Sequence, residues 1–232
     1  MKLLAIGVIT LTLALPGASA AAQKETETID RKITIGSNGS LKLKNFSGDV
    51  RVTGATGGDV VIHAVRRATR ERLDNIKLEI TSSGSSVNIE ANRRDPSWRE
   101  KNDNVVETDF DIQVPFGTEL DLHSFSGRLE VKGVSGRIEA QTFSGNIELD
   151  VASSKQLQEM DVETFSGDIR ARVPGDASGK VEFSSFSGSV NSDLPISMKT
   201  SRRRDVRGEI GSGSGPTLKF HTFSGDLRIV RN

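Results

Sequence analysis

Leu120-Asp-Leu-His-Ser-Phe-Ser-Gly-Arg-Leu-Glu-Val131 is the stretch that decides the fold. Alternating apolar residues enter the tripeptide Phe-Ser-Gly, and a second alternation leaves it, which is the period of two that β-strands follow. Because the tripeptide recurs six times, it marks a repeat architecture and predicts an all-β chain. Its Phe and Gly residues are Phe46 and Gly48, Phe125 and Gly127, Phe143 and Gly145, Phe165 and Gly167, Phe186 and Gly188, and Phe223 and Gly225.

Each Phe-Ser-Gly tripeptide is predicted to form a corner between two strands. Around the repeats, apolar residues lie five and three positions before the Phe but four and six positions after it, so the parity of the alternation shifts. Apolar side chains stay on one face through such a shift only if the chain bends, and Gly tolerates the backbone angles of a bend. The residue before each Phe is Asn, Ser or Thr, and in the inward phase its side chain can satisfy backbone groups.

The spacing of the repeats predicts a single-stranded β-helix-like fold, a β-solenoid built from short strands. From Phe125 onward the copies, including a degenerate Val134-Ser-Gly136, lie 9, 9, 22, 21 and 37 residues apart, which fits coils of two strands with insertions. Each coil buries the face that its neighbour exposes, so several coils are needed for stability. We expect the stacked coils to place the six Phe side chains inside the core, with a Phe-lined ligand groove as the alternative.

The start of the chain is typical of a secretory signal peptide. Lys2 precedes an apolar run from Leu3 to Leu15, and the small residues Ala18-Ser-Ala20 follow. The run is too short for a stable transmembrane helix, so the leader predicts export to the periplasm or beyond the cell; a retained anchor is the alternative. The chain has no Cys, which excludes a lipoprotein signal and disulfides.

The remaining chain reads as one continuous domain after a short linker. No later segment is apolar enough to span a membrane. The sections are a signal peptide at 1–20, an N-terminal linker at 21–31, an irregular β-rich section at 32–115, and regular solenoid repeats at 116–232. In the irregular section we expect strands at 60–65, 76–80 and 87–91, a helical excursion within 68–75, and a long surface loop at 95–107.

Charge argues against a nucleic-acid partner. The chain has 31 acidic and 31 basic residues, and removing Lys2 with the leader leaves the balance almost unchanged. A possible interaction surface combines the basic run Arg202-Arg203-Arg204 and Arg207 with the single Trp98, both on expected loops, 201–208 and 95–107. A solvated loop is the simpler interpretation of the basic run, and contact with an anionic polymer is the other.

Metal and catalytic sites are not indicated by any motif. His123 and His221 share the position two before the Phe, but they lie several coils apart if the coils stack in chain order, and a metal normally needs three ligands. Asp49, Asn146, Asp168 and Asp226 follow four of the tripeptides, yet the other copies carry Arg or Ser, which breaks a calcium-repeat pattern. We therefore predict no catalytic residues, no metal and no cofactor.

The repeats, together with Val114-Pro-Phe-Gly117 and the closing Gly208-Glu-Ile-Gly211, resemble the bacterial DUF4097 family of candidate adhesins with β-strand repeats. The resemblance implies a β-helix-like fold, a place outside the cytoplasm and an adhesion role, and it supplies no catalytic residues. Our leading hypothesis is an exported, non-enzymatic module that contacts a glycan or protein of the cell envelope. A carbohydrate-active enzyme on the same scaffold, or a structural envelope-stress protein without a specific ligand, are the alternatives.

Overall fold

The computed structural model of the chain describes residues 24–94, 105–202 and 205–232. These residues form 19 strands, a short helix α1 at Arg70–Asn75 and a 3-10 turn at Ser154–Gln156. No helix within the described ranges has the length and apolar character needed to cross a membrane. The strands are β1 Glu25–Thr34, β2 Ser40–Ser47, β3 Val50–Ala55, β4 Asp59–Ala68, β5 Ile76–Ser83, β6 Ser86–Arg94, β7 Glu107–Pro115, β8 Glu119–Ser126, β9 Leu129–Lys132, β10 Ile138–Ser144, β11 Ile147–Asp150, β12 Met160–Ser166, β13 Ile169–Val173, β14 Gly179–Ser187, β15 Val190–Ser192, β16 Ile196–Arg202, β17 Asp205–Ile210, β18 Thr217–Ser224 and β19 Leu227–Arg231.

The strands form two sheets that enclose the main core, and the predicted β-solenoid is confirmed. One sheet has nine strands in the order β1-β4-β7-β3-β9-β11-β13-β19-β15. The other has ten in the order β16-β17-β14-β18-β12-β10-β8-β2-β6-β5. Each Phe-Ser-Gly tripeptide ends a strand of the ten-stranded sheet and leads into a strand of the nine-stranded sheet. The main core is one cluster of buried side chains that includes Ile35 and Ile229, and a second, smaller cluster contains Ala68, Leu73, Ile76 and Val106.

The corners follow the phase shift in the sequence. Leu41, Leu43 and Asn45 of β2 are buried, and the inward phase resumes at Val50 of β3. The shift of parity therefore occurs within the tripeptide, where the chain passes from one sheet to the other. At the corresponding corner of the next coil, Gly127 has a φ of +125°, the left-handed region in which Gly is favoured.

The coils do not stack in chain order. The last coil of the sequence, β18 and β19, lies between neighbours that precede it: β18 pairs with β12 and β14, and β19 pairs with β13 and β15. The reason is the antiparallel hairpin of β16 and β17, because β17 occupies the other edge of β14. The final coil can join the stack only on the side of β14 that faces β12.

The predicted N-terminal linker at 21–31 is wrong from Glu25 onward. Glu25–Thr34 forms β1, which pairs antiparallel with β4 along its whole length. The alternation of this segment is weak because β1 is an edge strand with little burial, so composition suggested a linker. The strands and helical excursion expected between 60 and 91 are present as β4, α1, β5 and β6. The predicted signal peptide lies outside the described residues.

The predicted loop at 201–208 is also wrong. Ser201 and Arg202 end β16, Asp205 begins β17, and the two strands form a hairpin at one edge of the ten-stranded sheet. Residues 203 and 204 lie outside the described residues. In the expected loop at 95–107, residues 95–104 with Trp98 also lie outside them, and Glu107 already belongs to β7.

Candidate functional site

Six exposed Phe side chains form a continuous stack along the corner between the two sheets. We call this stack the Phe ladder. Neighbouring ring centroids lie 4.7–4.9 Å apart, and the ring planes differ by only 3–10°. Each ring is between 41% and 54% exposed, although large apolar side chains are normally buried. In stack order the rings are Phe46, Phe125, Phe143, Phe165, Phe223 and Phe186.

The expectation that these rings pack inside the core is therefore wrong. A stack exists, but it lies on the outer face of the ten-stranded sheet. The physical reason is the strand period: Asn45 points inward, so Phe46, its neighbour in the strand, must point outward. The parallel register aligns the six coils, and every ring thus contacts the ring of the coil above or below.

The polar residues before the rings take the buried positions. Asn45 donates to the carbonyl oxygen of Thr108 at 3.0 Å, Thr164 to that of Gly145 at 3.1 Å, and Thr222 to that of Gly167 at 3.4 Å. The expected role of these side chains in satisfying backbone groups at the bend is confirmed at these three corners. Because successive side chains of a strand point to opposite faces, these buried residues fix the neighbouring rings on the outer face.

The Phe ladder presents ring edges to solvent. The faces of the inner rings are covered by the neighbouring rings, and each such aromatic pair contributes about 0.5–1.5 kcal/mol beyond burial. With roughly half of about 200 Å² exposed on each ring, the six rings expose roughly 550 Å² of apolar surface. A contiguous patch of this size on a monomer is often functional.

A row of polar residues lies on each side of the Phe ladder. On the ten-stranded sheet the row contains the residues two before each ring, held in register by the parallel pairing. In stack order it is Lys44, His123, Gln141, Glu163, His221 and Ser184. Across the corner the second row contains the residues that follow each Gly. In the same order it is Asp49, Arg128, Asn146, Asp168, Asp226 and Ser189.

The Asp and Asn side chains of the second row hold successive coils together. Asp49 Oδ1 accepts a hydrogen bond from the backbone N–H of Arg128 at 2.9 Å, and Asp168 Oδ1 accepts one from Asp226 at 2.9 Å. Asp226 Oδ1 accepts in turn from Ser189 at 2.8 Å. These oxygens face backbone donors of the next coil, which gives the residues after the Gly a structural role.

Asp121, His123 and Glu139 form, in the described part of the chain, one group that offers three potential metal ligands. Their ligand atoms all lie within 4.8 Å of one another. His123 Nε2 lies 2.5 Å from Asp121 Oδ1, and Lys42 bonds the other oxygen of Asp121. Burial alone would raise the pKa of Asp121, but the hydrogen bond from Lys42 and the charge of His123 bring this pKa below its usual value. Lys42 thus occupies one oxygen of Asp121, and the His123 ring lies beside the other. His221 lies three strands away on β18.

Glu130, which the sequence patterns do not single out, is the one carboxylate in the buried class among the described residues. Its side chain lies between Lys132 and Arg51, and the Arg51 Nε atom is 2.7 Å from Glu130 Oε2. Hydrogen bonds from Lys132 and Arg51 lower the pKa of Glu130 below its usual value of 4.5. This environment stabilises a charged carboxylate, whereas the acid of a glycosidase needs a raised pKa.

Glu130→Gln is expected to reduce the sensitivity of the fold to acid. Because the folded-state pKa of Glu130 is lowered, its contribution to stability is present above the unfolded value and is lost as pH falls through the folded value. Between about pH 7 and about pH 3, the free energy of unfolding measured with urea should fall less in the variant than in the unsubstituted chain. Glu163→Gln, at an exposed position, is the control. Equal losses in the Glu130 variant and the unsubstituted chain would contradict the assignment.

The basic residues predicted as an interaction surface do not join the Phe ladder. Arg207 is exposed on β17, which pairs directly with the ladder strand β14, but it lies opposite Glu182, four residues before Phe186. The backbone of Arg202 lies at the end of β16. Arg203, Arg204 and Trp98 lie outside the described residues. The structure therefore brings none of the described members of this set to the apolar stripe.

The comparisons with known proteins agree with this fold. A family model described as Toastrack DUF4097 matches residues 23–230. A candidate cell adhesion protein from Clostridium sporogenes ATCC 15579 has a similar structure, with a TM-score of 0.69 and 11% identity over 90% of this chain and 100% of that one. A candidate adhesin from Bacteroides fragilis NCTC 9343 is 10% identical over 88% of this chain and 97% of that one, with a TM-score of 0.38. No curated protein matches the chain. The family match extends over nearly all of the sequence, and the chain belongs to the Toastrack DUF4097 family.

Proposed function

We propose that this chain is an exported, non-enzymatic, adhesin-like module that contacts its partner in the cell envelope or outside the cell through the Phe ladder. The single observation that carries this proposal is the exposure of six aligned rings in one stripe. Exposing aromatic rings to water costs free energy. A folded protein therefore keeps a patch of such rings exposed mainly where the patch serves an interaction. The predicted signal peptide supports export, and the candidate cell adhesion protein of similar fold supports the adhesin-like role.

The geometry of the Phe ladder favours an apolar protein surface over a glycan. Glycans pack their C–H groups on aromatic faces, whereas the inner rings use their faces to contact one another and offer edges. The lowered pKa of Glu130 keeps this carboxylate charged, so Glu130 is not suited to donate the proton that glycoside cleavage needs. An apolar edge contact is therefore the property to test.

Converting Phe125, Phe143 and Phe165 to Tyr is expected to abolish adhesion while preserving the fold. Tyr keeps the stacked ring but adds a hydroxyl at the para carbon, the part of the ring furthest from the backbone. Beads coated with residues 21–232 should be retained under flow on an alkyl-coated surface, and retention should fall at least tenfold in the triple variant. The control is Phe116→Tyr, since Phe116 is 39% exposed but lies outside the Phe ladder.

The same proteins should be incubated with soluble envelope polysaccharides, and both retained protein and new chain ends should be measured. We expect no new chain ends. Equal retention of the triple variant and the unsubstituted chain on every surface would exclude the Phe ladder as the contact surface. New chain ends that accumulate with time would overturn the non-enzymatic proposal and favour the carbohydrate-active alternative.

A further inference from the structure

The repeat of the Phe ladder restricts what can contact all six rings at once. A partner must offer apolar groups every 4.7–4.9 Å along a straight line. Along one extended strand, side chains on the same face recur at about 6.6 Å, which does not match. The spacing between neighbouring strands is about 4.8 Å, which does match. The surface that fits is therefore a ladder of side chains on stacked strands, such as the Phe ladder of a second copy of this chain.

Two Phe ladders can face each other around a two-fold axis in two ways. If the axis runs across the ladder, the first ring lies opposite the sixth, the second opposite the fifth and the third opposite the fourth, and each polar row lies opposite the same row of the other copy. If the axis runs along the ladder, each coil meets its own counterpart, and the two different rows face each other. The charges in these rows distinguish the two arrangements.

The antiparallel arrangement, with the axis across the ladder, gives complementary charges. Arg128 is the second residue of its row and Asp226 is the fifth, so each Arg128 lies opposite an Asp226 of the other copy, twice in the dimer. Both residues are exposed. The remaining pairs of this row are Asp49 with Ser189 and Asn146 with Asp168, and neither places like charges together. The row on the ten-stranded sheet pairs Lys44 with Ser184, His123 with His221 and Gln141 with Glu163.

The parallel arrangement is less favourable, because it pairs Lys44 with Asp49 but also places Glu163 opposite Asp168, so that one attraction is offset by one repulsion, each twice in the dimer. It also places Arg128 opposite His123 and gives Arg128 no carboxylate partner in the facing row. Like charges directly opposite one another destabilise a contact between two strands, and the same holds across an interface. The antiparallel arrangement is therefore the one that the charges support.

We propose that the partner of the Phe ladder is a second copy of this chain, bound antiparallel around a two-fold axis with Arg128 facing Asp226. This inference rests on the proposed function, since it names the partner of the same surface. The rings alone would bury roughly 1,100 Å² in total, just below the usual 1,200–2,000 Å² of a specific interface, and the polar rows add to this. Because the area lies at the lower end for specific interfaces, we expect a weak, reversible dimer that is populated at micromolar concentrations.

Sedimentation velocity of residues 21–232 over a concentration series tests this dimer by a charge exchange. Arg128→Asp places two carboxylates opposite each other, and Asp226→Arg places two guanidinium groups opposite each other. Each single substitution should raise the dissociation constant at least tenfold. The double substitution R128D/D226R restores both pairs and should return the dissociation constant to within about threefold of the original, equivalent to about 0.7 kcal/mol. Arg228→Asp, exposed on β19 in the adjoining sheet, is the control and should change nothing.

The double substitution keeps the test independent of folding. Asp226 also accepts a hydrogen bond from Ser189, so D226R can weaken the coil contact, but a loss of stability cannot be reversed by a second substitution at Arg128. A chain that stays monomeric at about 100 μM, or a double variant that is no tighter than the single variants, overturns the proposed dimer. If the unsubstituted chain is monomeric and the triple Tyr variant still loses adhesion, the proposed function stands and only the identity of the partner is wrong.

Discussion

A chain that ends at Pro216 is expected to lose its cooperative fold. The 16 residues removed form β18 and β19, which lie inside both sheets and separate coils that do not otherwise touch. Their loss exposes an edge of β12, β13, β14 and β15 at once. It also removes the buried side chains Leu218, Phe220, Leu227, Ile229 and Val230. At about 1.5–3 kcal/mol each, these five side chains contribute roughly 10 kcal/mol, which is comparable to the whole stability of a domain.

The matched control is a chain that begins at Ile35 and so lacks β1. This deletion removes a strand from the edge of the nine-stranded sheet, and it should lower the free energy of unfolding while leaving one cooperative transition. Circular dichroism and urea unfolding distinguish the two outcomes. If the chain ending at Pro216 unfolds within about 2 kcal/mol of the full chain, the interior position of the last coil is wrong.

The sequence predicts the corners and the two strands of each coil because both depend on local rules. Period two in the strands, the shift of parity at the tripeptide and the tolerance of Gly for a bend are all visible without any long-range contact. The order of the coils is different. Each coil has the same apolar pattern, so any coil can pair with any other, and it is β17, paired with one edge of β14, that sends the last coil to the opposite edge.

The direction of the Phe side chains could also have been predicted. The residues five, three and one before each ring are inward, as Leu41, Leu43 and Asn45 illustrate, so the period already places the Phe outward. The error comes from giving the apolar character of Phe more weight than its phase. A residue whose phase contradicts its hydrophobicity is a candidate for a functional or strained site, because the cost of exposing it needs a compensating interaction.

The charge pattern of the proposed dimer depends on the order of the coils and could not have been predicted from the repeats. In chain order, Phe186 would be the fifth ring and Phe223 the sixth. A two-fold axis across that ladder would place Asp226 opposite Asp49 and leave Arg128 opposite Ser189. Because the last coil lies inside the stack, Asp226 is fifth and Ser189 sixth in the row. The same axis therefore places Arg128 opposite Asp226.

Gly127→Ala is expected to destabilise the chain by about 4 kcal/mol or more, through two separable effects. The first effect is backbone strain, since Gly127 has a φ of +125° that a residue with a Cβ rarely adopts. The second is a steric clash, since a Cβ at this position would lie 2.2 Å from the carbonyl oxygen of Gly48 in the neighbouring coil. That oxygen belongs to the backbone of the neighbouring corner, so the two coils cannot move apart without displacing the stacked Phe rings.

Gly57→Ala separates the strain from the clash. Gly57 has a similar φ of +115°, but a Cβ there has no neighbouring heavy atom within 4 Å. We therefore expect Gly57→Ala to cost only the strain, about 1–2 kcal/mol, and urea unfolding of the two variants side by side should show at least 2 kcal/mol between them. If the two substitutions cost the same, close contact between the backbones of successive corners does not limit the residue at this position. The recurrence of Gly in the tripeptide would then reflect its backbone angles alone.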